Sequence, residues 1–112
     1  MLLVCRFQRP DPEADAAGFR DRARRAVTLL GAQPGCLGVE FARATEAPSR
    51  WVLVATFTSA ADYRRALSPF AVREHVVPFL SEALTDEPAT FERFLGADAS
   101  GPTEHRGVLD RP

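Results

Sequence analysis

Apolar and polar positions alternate over Leu2–Gln8, with Leu3, Cys5 and Phe7 on one side and Leu2, Val4 and Arg6 on the other, which predicts a strand. Arg9-Pro10 breaks it. The period then lengthens. Phe19, Ala23, Ala26, Val27 and Leu30 recur at helical spacing, and Arg20, Asp21, Arg22, Arg24 and Arg25 crowd the opposite side. Asp11 is placed to cap this helix, with Pro12 at its first position and Glu13 favourable to its dipole; Gly31 ends it and Pro34-Gly35 turns the chain. The charged side reads as a solvated face with intrahelical Asp–Arg pairs rather than as an anion site.

Cys36–Ala44 alternates again, with Leu37, Val39 and Phe41 against Gly38, Glu40 and Ala42, and a polar loop over Thr45–Arg50 closes a hairpin. Trp51–Thr58 is apolar on both sides, Trp51, Leu53, Ala55 and Phe57 against Val52, Val54 and Thr56. Such a strand is central and covered on both faces. The chain's own helices cover one; nothing is left for the other, so the pattern predicts a homodimer joined through the sheet face. Ser59 caps a short helix to Leu67, Ser68-Pro69 interrupts it, and a second stretch over Phe70–Leu84 carries Val72, Val76, Phe79, Leu80 and Ala83 on one face. Pro78 predicts a break near Glu74–Val77. Pro88 opens a last strand over Ala89–Leu95. The order β-α-β-β-α-β predicts an α+β, ferredoxin-like sandwich with an antiparallel sheet. Residues 1–95 form this domain, and the polar, Gly/Pro-rich segment 96–112 reads as a mobile tail or a partner-clasping arm.

Composition narrows the function classes. A chain of 112 residues with 46% hydrophobic and 26% charged residues is one ordinary globular domain. A net charge of -1 argues against nucleic-acid and anionic-membrane partners. No apolar run is long enough to span a bilayer, and Met1–Arg6 is too short and too soon charged for a secretory signal, so a cytoplasmic location is expected. Cys5 and Cys36 have no metal-ligand spacing and read as buried free thiols. Lys, Asn and Ile are absent. Their codons are A/T-rich, so the arginine bias is a mark of a high-G+C bacterial genome more than of phosphate binding.

No phosphate loop, nucleophile elbow or His/Cys cluster is present. The candidate chemistry lies between the sheet and the broken helix. Trp51, Leu53 and Phe57 would form one wall, Phe79 part of the other, and Tyr63, Arg73 and His75 sit on the covering helices. Each also has a structural reading: Trp51 as an end plug of the core, Tyr63 as an anchor at a helix start, His75 as a half-buried neighbour of the apolar stripe, Arg73 as a surface cation. If they converge, one phenol, one imidazole and one guanidinium against an aromatic wall suit a small planar phenol or quinol.

Gln33-Pro34-Gly35-Cys36-Leu37-Gly38-Val39-Glu40, Trp51-Val52-Leu53-Val54-Ala55-Thr56-Phe57, Tyr63 and Leu67-Ser68-Pro69-Phe70 resemble the antibiotic biosynthesis monooxygenase family. The resemblance covers nearly all of residues 1–95 and implies a dimeric α+β barrel. It further implies oxidation of an aromatic polyketide or quinol by O₂ without flavin, haem or metal, the deprotonated substrate itself reducing oxygen. On that pattern Tyr63 hydrogen-bonds the substrate, His75 acts as base, Arg73 stabilises the anion and Trp51 stacks on the ring. The Asn and Trp that polyketide-oxidising members carry on the third strand fall on Leu53 and Phe57, and the haem-degrading branch needs an Asn that this chain lacks. The alternatives are a polyketide cyclase or isomerase on the same barrel, using Tyr and His without oxygen, and a non-catalytic ligand-binding dimer module.

Overall fold

The computed structural model describes residues 1–9 and 16–106. The expected Asp11 cap, with Pro12 and Glu13, lies outside them. Strand β1 (Leu2–Gln8) leads to helix α1 (Ala16–Gly31), then to β2 (Cys36–Arg43) and β3 (Arg50–Phe57). Helix α2 (Ala60–Ala66) and the broken helix α3 (Phe70–His75) and α4 (Val77–Leu80) follow, and then β4 (Thr90–Phe91). The antiparallel sheet has the order β2-β3-β1-β4, the ferredoxin-like arrangement, with β3 and β1 central as their apolar content requires.

Register sorts the side chains by face. Leu3/Ala55, Cys5/Leu53 and Phe7/Trp51 pair on the helix side, joined by Val39 and Phe41 of β2; Leu2/Thr56, Val4/Val54 and Arg6/Val52 pair on the other. The helix side is the core. Phe7, Phe19, Phe57 and Phe79 are its largest buried side chains, with Phe7–Phe79 centroids 4.9 Å and Phe19–Phe79 centroids 5.5 Å apart. Phe19, Ala23, Ala26 and Leu30 are the buried stripe of α1, as the spacing predicts.

The local signals operate as chemistry requires. The Ser59 hydroxyl accepts from the Asp62 N–H at 3.0 Å and caps α2. Gly35 has φ +84°, where L side chains are strained; a Cβ there would lie 2.6 Å from Asp62 Cβ. Pro78 has no N–H to continue the ladder, and the helix divides at Val76.

Five expectations are corrected. Leu37 does not share the inner phase of Val39 and Phe41: a register shift between Cys36 and Gly38 sets it in a bulge, 60% exposed. The helical stretch expected to reach Leu84 ends at Leu80, because the Leu84 N–H donates to Arg6 O of β1 at 2.7 Å. Cys36 is only half-buried, being on the sheet's edge strand. The strand expected over Ala89–Leu95 is reduced to Thr90–Phe91, and the described part of the segment expected as a tail includes a hairpin, β5 (Leu95–Asp98) with β6 (Gly101–Glu104), while residues 107–112 lie outside the described residues. No described helix is long and apolar enough to cross a membrane.

Candidate functional site

Tyr63 follows the Ser59 cap by one turn, which sets its ring edge-on against Phe57 at 5.3 Å. The same turn brings it to the end of the sheet where β1 begins and β4 crosses it. There Tyr63 lines an open, mainly apolar cavity of about 530 Å³ with Met1, Ala60, Arg64, Phe91 and Glu92. Burial pushes the Tyr63 phenol up from its ordinary value, and the nearby Cys5 thiol adds to the effect. The raised phenol stays protonated at neutral pH, which leaves it able to donate a hydrogen bond. Arg64 adds a permanent positive charge to the wall. Of the residues lining this cavity, the sequence reading singled out Tyr63 and not Phe91 or Glu92. The signal for them is the pairing of Leu2 with Phe91, which a two-residue edge strand shows only weakly.

The other expected residues are not gathered here. His75, at the end of α3, has Nδ1 3.4 Å from Arg25 of α1 and Nε2 3.8 Å from Glu74. Arg73 is exposed on α3, and neither residue lines the Tyr63 cavity. Leu53 and Phe57 have 0% exposure and Phe79 2%, so the expected wall is solid core in this conformation. The physical reason is volume: the four buried phenylalanines fill the space between sheet and helices that a pocket would need. Trp51 lies half-buried toward the opposite end of β3, stacked on Phe41 with centroids 5.1 Å apart and 14° between planes. Among the described residues no group of three or more His, Cys, Asp or Glu side chains is placed to hold a metal ion.

An antiparallel sheet of this order, backed by a broken second helix with a tyrosine-lined cavity at its start, defines a class. The chain belongs to the antibiotic biosynthesis monooxygenase family, whose model matches residues 1–76. Among solved structures it is similar to SnoaB, a cofactor-independent oxygenase from Streptomyces nogalater, at 22% identity, covering 98% of this chain and 96% of that one with a TM-score of 0.61. A conserved protein from Methanosarcina mazei Go1 is similar at 19% identity, covering 77% of this chain and 82% of that one with a TM-score of 0.62. Rv0793 from Mycobacterium tuberculosis matches at 19% identity, covering 80% and 86% of the two chains with a TM-score of 0.59. These likenesses show the fold. No curated protein sequence matches the chain.

Proposed function

We infer that the protein is a cofactor-independent oxygenase acting on an aromatic polyketide or quinol, as a homodimer joined through the outer sheet face. The observation that carries this reading is the Tyr63 cavity, about 530 Å³ and mostly apolar, with one protonated phenol and one guanidinium in its wall. That volume fits a small fused-ring ligand. Family membership and the cofactor-independent oxygenase SnoaB among its structural neighbours support the reaction class.

In this reading Tyr63 donates to the oxygen of a phenolic substrate and Arg64 stabilises its anion, holding it in the wall where charge builds up. The proton lost from the substrate passes to solvent water at the open mouth of the cavity, and the electron-rich anion reduces O₂ directly. For an anthrone, one oxygen atom becomes the new carbonyl and the other leaves as water with the two methylene hydrogens, one of them the proton released first; for a quinol, one oxygen atom enters a ring C–H as a hydroxyl and the other leaves as water with the two hydroxyl hydrogens as the ring becomes a quinone. His75 and Arg73 have no part in this step.

Oxygen uptake with a panel of anthrones and quinols tests the reading. Tyr63→Phe is expected to lower kcat/KM by about 10²-fold, in the range of one lost transition-state donor. His75→Ala is expected to leave it unchanged. Turnover without oxygen consumption would instead favour the cyclase reading. Absence of any turnover would leave the ligand-binding module, and a rate lost in His75→Ala but kept in Tyr63→Phe would overturn the assignment of the site.

A further inference from the structure

The four arginines of α1 do not behave as one solvated face. Arg22 pairs with Glu82 at 3.1 Å, Arg24 with Asp21 at 3.2 Å, and Arg25 lies beside His75. Arg20 turns the other way, its guanidinium carbon 5.4 Å from the centroid of Trp51. Arg43, from β2, approaches the same ring at 5.1 Å while its Nε donates to Pro48 O at 2.6 Å. Neither Arg20 nor Arg43 forms an ion pair among the described residues.

The two guanidiniums stand over a groove of about 640 Å³ between α1 and the β2 edge. Val27, Val39, Phe41 and Trp51 contribute its apolar lining. Glu40 also borders it, but the register pairs Glu40 with Val54 and so assigns its side chain to the opposite face of the sheet. The Trp51 indole N–H is buried with no acceptor among the described residues. Two like charges thus converge on one ring beside an apolar trough, with no carboxylate paired to either among the described residues. A contact with an aromatic face is weaker than a charge-assisted hydrogen bond to a carboxylate, so the arrangement leaves both guanidiniums available to an anionic partner.

We propose that this groove binds an aryl carboxylate. Its ring lies along the trough beside Trp51, and its carboxylate bridges Arg20 and Arg43. The site is distinct from the Tyr63 cavity: Trp51 and Phe57 are at opposite ends of β3, ~20 Å apart at strand rise. It does not rest on the oxygenase reading.

The test uses the full chain and 2-naphthoate, with 2-naphthamide as the uncharged isostere. Trp51 is the chain's one tryptophan, so its indole N–H is a single resonance in a ¹H–¹⁵N spectrum. Titration with 2-naphthoate is expected to shift that resonance saturably. The amide is expected to bind about tenfold more weakly or worse, as is 2-naphthoate to Arg20→Gln and Arg43→Gln, since a hydrogen bond to a charged group carries that much or more. Tyr63→Phe is expected to bind 2-naphthoate as the wild type does. No saturable shift, equal affinity for the amide, or unchanged affinity in both arginine variants would overturn the proposal. If a variant loses its dispersed spectrum, the acid–amide comparison on the wild-type chain decides alone.

Discussion

Gly35 shows how much one residue without a side chain can fix. Its positive φ turns the chain from α1 into β2, and its carbonyl accepts from the Thr58 N–H at 2.9 Å, tying that turn to the start of α2. Gly35→Ala would meet both a strained backbone, about 1–2 kcal/mol for an L-residue in the left-handed region, and the Asp62 side chain. It is expected to be less stable by at least that much in chemical denaturation. A midpoint and slope equal to the wild type's would show that the turn has no such constraint. The Pro-Gly pair made this turn visible in the sequence. The fate of His75 was not visible: its spacing placed it beside the apolar stripe, but which neighbouring helix it would meet depends on α1–α3 packing, and Arg25 of α1 is the residue it meets.

Helix α2 begins in a small network with a definite acid sensitivity. The Thr58 hydroxyl donates to Asp62, the Asp62 N–H donates to Ser59, and Arg65 pairs with Asp62 at 3.0 Å. The Thr58 hydrogen bond, chiefly, holds the Asp62 carboxyl below its ordinary value. A carboxyl depressed in the folded state contributes stability that is complete above its unfolded pKa of ~3.9 and is lost as pH falls through the lower folded value. Thr58→Val is therefore expected to lower Tm near neutral pH and to narrow its difference from wild type at about pH 2. Thermal melts across that range check it; a difference independent of pH would assign the Thr58 contribution to something other than Asp62 ionisation. At this scale the sequence was largely legible. Periodicity located β1, α1, β2 and β3, and Pro78 located the break between α3 and α4. The β5–β6 hairpin was missed because Gly and Pro outweighed its weak strand pattern, yet its turn was written there: Asp98 accepts from the Ser100 N–H at 2.8 Å and Gly101 follows with φ 123°.

Taken whole, the sheet has one face packed under the helices and one face whose apolar side chains stay half-buried. Leu2, Val4, Val52 and Val54 stand half-buried on the outer side of the sheet, and Phe94 and Leu95 of the hairpin region are 71% and 61% exposed. The proposed dimer covers this side, and a specific association of that kind typically buries about 800 Å² per subunit. Sedimentation equilibrium is expected to give a dimer at micromolar concentration, and Val54→Arg, which sets a charge opposite Val4, is expected to shift it to monomer. A wild-type monomer at that concentration would end the proposal. The fold was legible because it is encoded by repetition, the same period read many times. The site was less so because a cavity depends on what is left unfilled. Four phenylalanines on separate elements close the space where the Leu53, Phe57 and Phe79 wall was expected, and no single segment records that closure.

The inner face also gives the protein an internal timer. Cys5 lies in β1, held between β3 and β4, 5% exposed, with burial pushing its thiol up to about 11, whereas Cys36 is half-buried on the edge strand. Only a thiolate attacks a disulfide reagent, so in native buffer Cys5 is shielded twice, by access and by protonation. Added to the folded protein, a chromogenic aromatic disulfide is expected to consume one thiol per chain promptly and the second only as fast as the sheet opens. At reagent concentrations where trapping outpaces reclosing, the slow phase would then report the rate at which β1 opens, and it should accelerate in Gly35→Ala. Two thiols reacting together in the first phase would mean that β1 is freed without the rest of the fold.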